Sequence, residues 1–196
     1  MNRQDLLKIA KPILFNMSMV QAIQNDRKTS TRRVIKFPEG TTGRLPFSGA
    51  RDYIYYPGGI KRARYKVGDI LYVRETWCQT TAVEPDYGEL YHYKAAPDCI
   101  IEQIPKEYLK WKPSIHMPKK AARIFLKVTD VRIERLQDIA REEAINEGFQ
   151  NEDDWGAEVY FEEFWDSTIK KKDIDIYGWN ANPWVWAIEF EKLEVE

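Results

Sequence analysis

Arg27-Lys28-Thr29-Ser30-Thr31-Arg32-Arg33 follows a short apolar-periodic stretch, Met19-Val20-Ala22-Ile23, and precedes a second marker, Gly68-Asp69-Ile70-Leu71-Tyr72-Val73-Arg74-Glu75-Thr76-Trp77. Four cations and three hydroxyls thus fall where a helix ends and a strand or loop begins. A hydroxyl beside a lysine can become an activated nucleophile. A cationic cluster beside aromatics can hold a nucleic acid.

Upstream, residues 1–12 read as a frayed lead-in ending at Pro12, and Ile13–Met17 as a short strand. Ser18 is a plausible N-cap for a helix over 19–26. Downstream, residues 36–66 are rich in Gly, Pro, Arg and Tyr and have no clear period. Such a length is either a functional or disordered loop or an ordered meander pinned by Tyr53, Tyr55 and Tyr56. Val67-Gly68-Asp69 signals a turn, and Ile70 to Trp77 then reads as one strand. Tyr91–Lys94 alternates weakly as a further strand, and 111–118 is a loop bracketed by prolines.

Ala122 to Ile133 carries the clearest strand pattern, with a slip near Thr129-Asp130 that suggests a bulge. Asp138 is placed to cap a helix over 139–147, with Gly148 as its stop. Trp155 to Lys170 has Phe161, Phe164, Trp165, Thr168 and Ile169 at helical spacing, a stripe that suits core packing. After Pro183, Trp184, Trp186, Ile188 and Phe190 alternate along a last strand to Leu193. Strands with helices inserted between them give an α+β pattern around a small mixed sheet or barrel.

A length of 196 residues suits one domain, and 43% hydrophobic residues suffice for a core. Net charge is -1, so no global field favours nucleic acid, but the charge is uneven. Arg27 to Arg74 holds 12 Lys/Arg against 3 Asp/Glu, while Glu134 to Glu196 holds 6 against 18. Either a basic face exists or the two stretches neutralise each other. Two cysteines and two histidines without CxxC or HxxxH spacing argue against a structural zinc site, and no metal or cofactor is implied. No run spans a bilayer and no secretory leader is evident, which points to a soluble cytoplasmic protein with free thiols and no membrane partner.

The ordered series has a counterpart. Short strand, helix, Arg-Lys-Thr-x-Thr-Arg, then Gly-Asp-x-Leu-x-Val, then Val-Thr-Asp-Val-x-x-x-x-Leu and a helix, resembles the ASCH family of the PUA-like superfamily. Asn180-Ala181-Asn182-Pro183-Trp184-Val185-Trp186 and Pro113-Ser114-Ile115-His116-Met117-Pro118 resemble the longer ASCH-like proteins of bacteriophages and prophages. The resemblance covers most of residues 12–193 and implies one PUA-like mixed β-barrel or curved sheet with flanking helices. Residues 36–66 and 78–120 are long insertions relative to small family members. If phage-encoded, the chain works in the host cytoplasm.

One small ASCH type is an amidohydrolase acting on N4-acylated cytidine through a lysine, a threonine and a glutamate. The resemblance places the lysine at Lys28 and the threonine at Thr31. Glu147 best matches the glutamate, with Glu143 and Glu142 as alternatives. Arg27, Arg32 and Arg33 would lower the pKa of Lys28 and let it act as a base. A carboxylate at a helix C-terminus, as at Glu147, opposes the macrodipole, which is mild evidence for use.

Further binding candidates are Arg74 as a bidentate clamp, Glu75 as an acceptor from an exocyclic amine, and Trp77 as a stacking platform or core residue. Tyr93 and Lys94, with Trp111, Ser114 and His116, would form the far wall. Three functions stay open. They are a modified-nucleoside pocket with amide hydrolysis, a non-catalytic module for RNA or single-stranded DNA, and a phage accessory protein that binds a host protein.

Overall fold

Asn2 opens the first helix by accepting a hydrogen bond from the Asp5 amide, so the expected frayed lead-in is helical instead. The structure, a computed structural model, describes residues 2–38, 52–56, 58–81, 89–95, 105, 109–149 and 156–195. Helices and strands are mixed as in an α+β protein. No helix among the described residues is long and apolar enough to cross a membrane. The chain divides into two compact units, each assembled from separate stretches of sequence.

The first unit comprises Met1–Asp26, Ile70–Leu126 and Lys192–Glu196. Helix α1 (Arg3–Ile9) leads into β1 (Lys11–Leu14), then helix α2 (Met17–Gln24) follows. The cap of α2 is Asn16, two residues before the expected Ser18. The Asn16 side chain accepts from the Met19 amide at 2.9 Å, and the Ser18 hydroxyl donates to that same oxygen. Asn16→Ala should therefore cost about 1 kcal/mol in urea unfolding, while Ser18→Ala should cost far less.

Strand β5 (Ile70–Arg74) runs parallel to β1, with Lys11 opposite Leu71 and Leu14 opposite Arg74. The expected Ile70–Trp77 strand breaks at Glu75-Thr76. Trp77 instead begins β6 (Trp77–Thr81), which pairs antiparallel with β7 (Glu89–Tyr93). The 111–118 loop contains a 3-10 turn over Ser114–His116. Leu6, Tyr72, Trp77, Met117 and Phe125 form this unit's apolar cluster.

The second unit comprises Arg27–Asp69 and Lys127–Glu191. Its ladder runs β8 (Phe125–Arg135), β9 (Trp184–Leu193) and β2 (Ser30–Val34), and β2 pairs antiparallel with β9. The boundary between units falls inside β8 and inside β9. Within the 36–66 stretch, Tyr53–Tyr56 (β3) and Gly59–Arg62 (β4) form a hairpin, while 39–51 lie outside the described residues. The hydrophobic alternation of β8 slips where expected, with Val128 and Val131 both buried.

Asp138 does not cap the next helix; it ends a 3-10 turn. Helix α3 (Arg141–Asn146) starts after Ala140, whose amide donates to the Glu143 carboxylate. Gly148, at φ 101°, turns the chain after it, as its lack of a side chain allows. Helix α4 (Ala157–Thr168) buries Phe161 and Trp165 against Leu136, Ile139, Ala144 and Val185, so its aromatic stripe is core. Trp155 lies outside the described residues. A short helix, α5 (Ile174–Tyr177), precedes β9.

Candidate functional site

Asp26 takes a left-handed conformation, φ 54°, just past α2. Lys28 then forms a bridge with Glu147, and the Thr29 amide donates to the Asn146 carbonyl at 2.8 Å. Two residues 119 apart in sequence thereby meet. The Lys28 ammonium donates to Glu147 Oε2 at 2.6 Å and to the Glu147 main-chain carbonyl at 2.9 Å. Lys28 is 3% exposed and Glu147 4%. The second contact puts a cation on an orphan carbonyl at the C-terminal end of α3, which offsets the unfavourable placement of a carboxylate there.

Arg32 holds the other side of Glu147. Its Nη1 donates to Glu147 Oε1 at 3.4 Å, its Nε to Glu134 at 2.6 Å, and its Nη2 to Glu143 at 2.8 Å. Its guanidinium also lies 5.8 Å from the centre of the Phe161 ring. Arg132 extends the network to Asp130, Glu134, Glu143 and Glu189. Burial holds the Lys28 amine below the ordinary lysine range; Glu147 opposes that shift, and Arg33 and Arg32 add to it.

Thr31 is 4% exposed and sits opposite Ile188 on β9. Strand alternation puts Thr31 and Arg33 on one face of β2 and Ser30, Arg32 and Val34 on the other. The Arg33 charge is felt by both Lys28 and Glu147. Ser30, also buried, has a hydroxyl without a hydrogen-bond partner among the described residues. Of the alternatives to Glu147, Glu143 serves Arg32 and Arg132, and Glu142 is exposed. Glu147 is the carboxylate at Lys28. Arg27 is half-buried at the start of the unit.

The remaining candidates belong to the first unit. Arg74 donates to the Ile115 carbonyl, and its Nε is buried without a partner among the described residues. Glu75 is 1% exposed and both its oxygens accept from Arg123, each at 2.9 Å, so neither is available to a base amine. Trp77, 4% exposed, belongs to the apolar cluster and is not an open platform. Trp111 and Ser114 are half-buried, while Lys94 and His116 are exposed. Sequence reasoning missed Arg123, Glu134 and Arg132. The signal was present for two of them, since Arg132-x-Glu134 puts opposite charges on one face of the strongest strand.

Comparison of the chain with protein-family models, with curated proteins and with solved structures finds no match.

Proposed function

We propose that the chain is an ASCH-like domain with a PUA-like fold that binds a modified nucleoside and cleaves the exocyclic amide of an N4-acylated cytosine without a metal. One observation carries this reading. Lys28 and Glu147, the lysine and glutamate that the resemblance singles out, lie 2.6 Å apart and buried. Burial favours the neutral amine, the form that a general base requires.

In the proposed reaction, neutral Lys28 takes the Thr31 hydroxyl proton as the Thr31 oxygen bonds to the acyl carbon. The C–N4 bond breaks and the Lys28 ammonium returns that proton to N4, releasing cytosine with its free amine. Water then attacks the Thr31 ester, with Lys28 again accepting the proton. The carboxylic acid leaves and Thr31 regains its hydrogen. Glu147 accepts from Lys28 throughout and fixes the direction of its lone pair.

The test is release of cytidine from a panel of N4-acylated cytidines in chelator-treated buffer. The rate should be unaffected by chelator. It should also rise with pH through a Lys28 pKa lying below the ordinary lysine value, because only the neutral amine is active. No turnover on any substrate, with retained binding of single-stranded nucleic acid, would favour the non-catalytic module.

A further inference from the structure

Asp166 of α4, Ile174 and Asp175 of α5, and Trp179 and Asn180 of the following 3-10 turn line a cavity of about 230 Å³ in the second unit. Local contacts fix its walls. The Trp165 indole N–H donates to the Tyr177 carbonyl at 2.8 Å and ties α5 to α4. Gly178 joins α5 to the turn. A side chain there would meet the Ile174 carbonyl oxygen at 2.6 Å, so glycine lets the turn close onto α5. Asp166 Oδ1 accepts from the Trp179 amide at 2.7 Å. The Trp179 ring packs edge-on against Phe161, with centroids 6.1 Å apart.

The charge in this cavity is unbalanced. Asp166 stands in the last turn of α4, where no basic residue accompanies it and the helix dipole disfavours a carboxylate. Asp175 is exposed. Neither makes an ion pair among the described residues, although Lys170, Lys171 and Lys172 are near in sequence. We propose that the cavity binds an alkylguanidinium group, the head of an arginine side chain or of a free guanidino compound. Its volume lies below the roughly 300–1,000 Å³ of drug-sized pockets, so a nucleoside is too large and a side-chain-sized group fits. Two carboxylates select a cation. A planar guanidinium matches carboxylate oxygens with its fork and packs on an indole such as Trp179. A calcium ion is a poorer fit, because it takes about 6–8 oxygen ligands and this wall is partly indole and aliphatic. The site shares no residue with the Lys28–Glu147 pair and does not depend on turnover there.

Titration of nitrogen-15-labelled protein with n-butylguanidinium, followed on the indole N–H signals of its seven tryptophans, tests the proposal. Trp179→Phe identifies the Trp179 signal. That signal should shift saturably with n-butylguanidinium and stay still with n-butylurea, which has the same shape and no charge. Combined Asp166→Asn and Asp175→Asn should weaken binding about tenfold or more. Asparagine at 166 still accepts from the Trp179 amide, so an unchanged melting temperature separates loss of charge from loss of fold. Asp175→Asn alone, at an exposed position, should weaken binding about twofold to fivefold. N-acetylarginine amide, run in parallel, distinguishes the source. Tighter binding than n-butylguanidinium assigns the ligand to a protein's arginine, and weaker binding assigns it to a free guanidino compound; both support the site. An equal shift with n-butylurea, no saturable shift with n-butylguanidinium, or wild-type affinity in the double variant would overturn it.

Discussion

Lys28→Met is expected to destabilise the protein by about 3–5 kcal/mol in urea unfolding, because it strands the buried Glu147 carboxylate without its ammonium. Arg32 at 3.4 Å is too distant to replace a 2.6 Å contact, and it is already engaged by Glu134 and Glu143. Glu147→Leu should cost a comparable amount by stranding Lys28. The double variant Lys28→Met with Glu147→Leu should recover most of the loss, since well-packed apolar residues often replace a buried pair at no net cost. Additive losses would mean that the pair does not act as a unit.

The largest effect on chemistry is expected at Lys28 and Thr31. Lys28→Arg keeps a cation beside Glu147 and should leave the fold in place, yet it should abolish turnover, because a guanidinium does not give up its proton. Thr31→Ala removes the proposed acyl acceptor and should lower the rate to background with binding intact. Thr31→Ser should retain measurable rate, since the hydroxyl remains. Progress curves for cytidine release, alongside thermal melts, separate these outcomes from misfolding. A Lys28→Arg variant with wild-type rate would remove Lys28 as the proposed base.

Regular elements were legible where one pattern dominated. Trp184–Leu193 is a strand over the expected span, bounded by Pro183. Alternation did not reveal that 185–188 is buried on successive residues, because both faces of β9 are covered. Ile70–Trp77 looked continuous because its residues are good strand formers. Its break comes from Glu75, which turns inward to Arg123, a partner 48 residues away that no local window contains.

The caps were displaced for a similar reason. Asn16 and Glu143 outcompete Ser18 and Asp138, and several residues near each helix start are able to cap it.

The site divides in the same manner. Lys28 and Glu147 were reachable only through the family resemblance, since neither periodicity nor spacing links positions 119 apart. Of the Arg32 and Arg132 network, only the Arg132-x-Glu134 spacing was legible. Its contacts join β2, β8 and α3 across the fold, and its charges in sequence look like ordinary surface residues. Trp77 could not be assigned between core and platform from sequence, because a strand-end tryptophan suits both roles; burial decides for the core.

Rapid quench of the protein with N4-acetylcytidine, followed by peptide mass analysis, reads the proposed acyl transfer to Thr31 itself. A transient acetyl ester is expected on the peptide carrying Thr31, formed as cytidine appears and absent in Thr31→Ala and Lys28→Arg. Cytidine release by Thr31→Ala at the wild-type rate, or no release by wild type from any acylated cytidine, would contradict it.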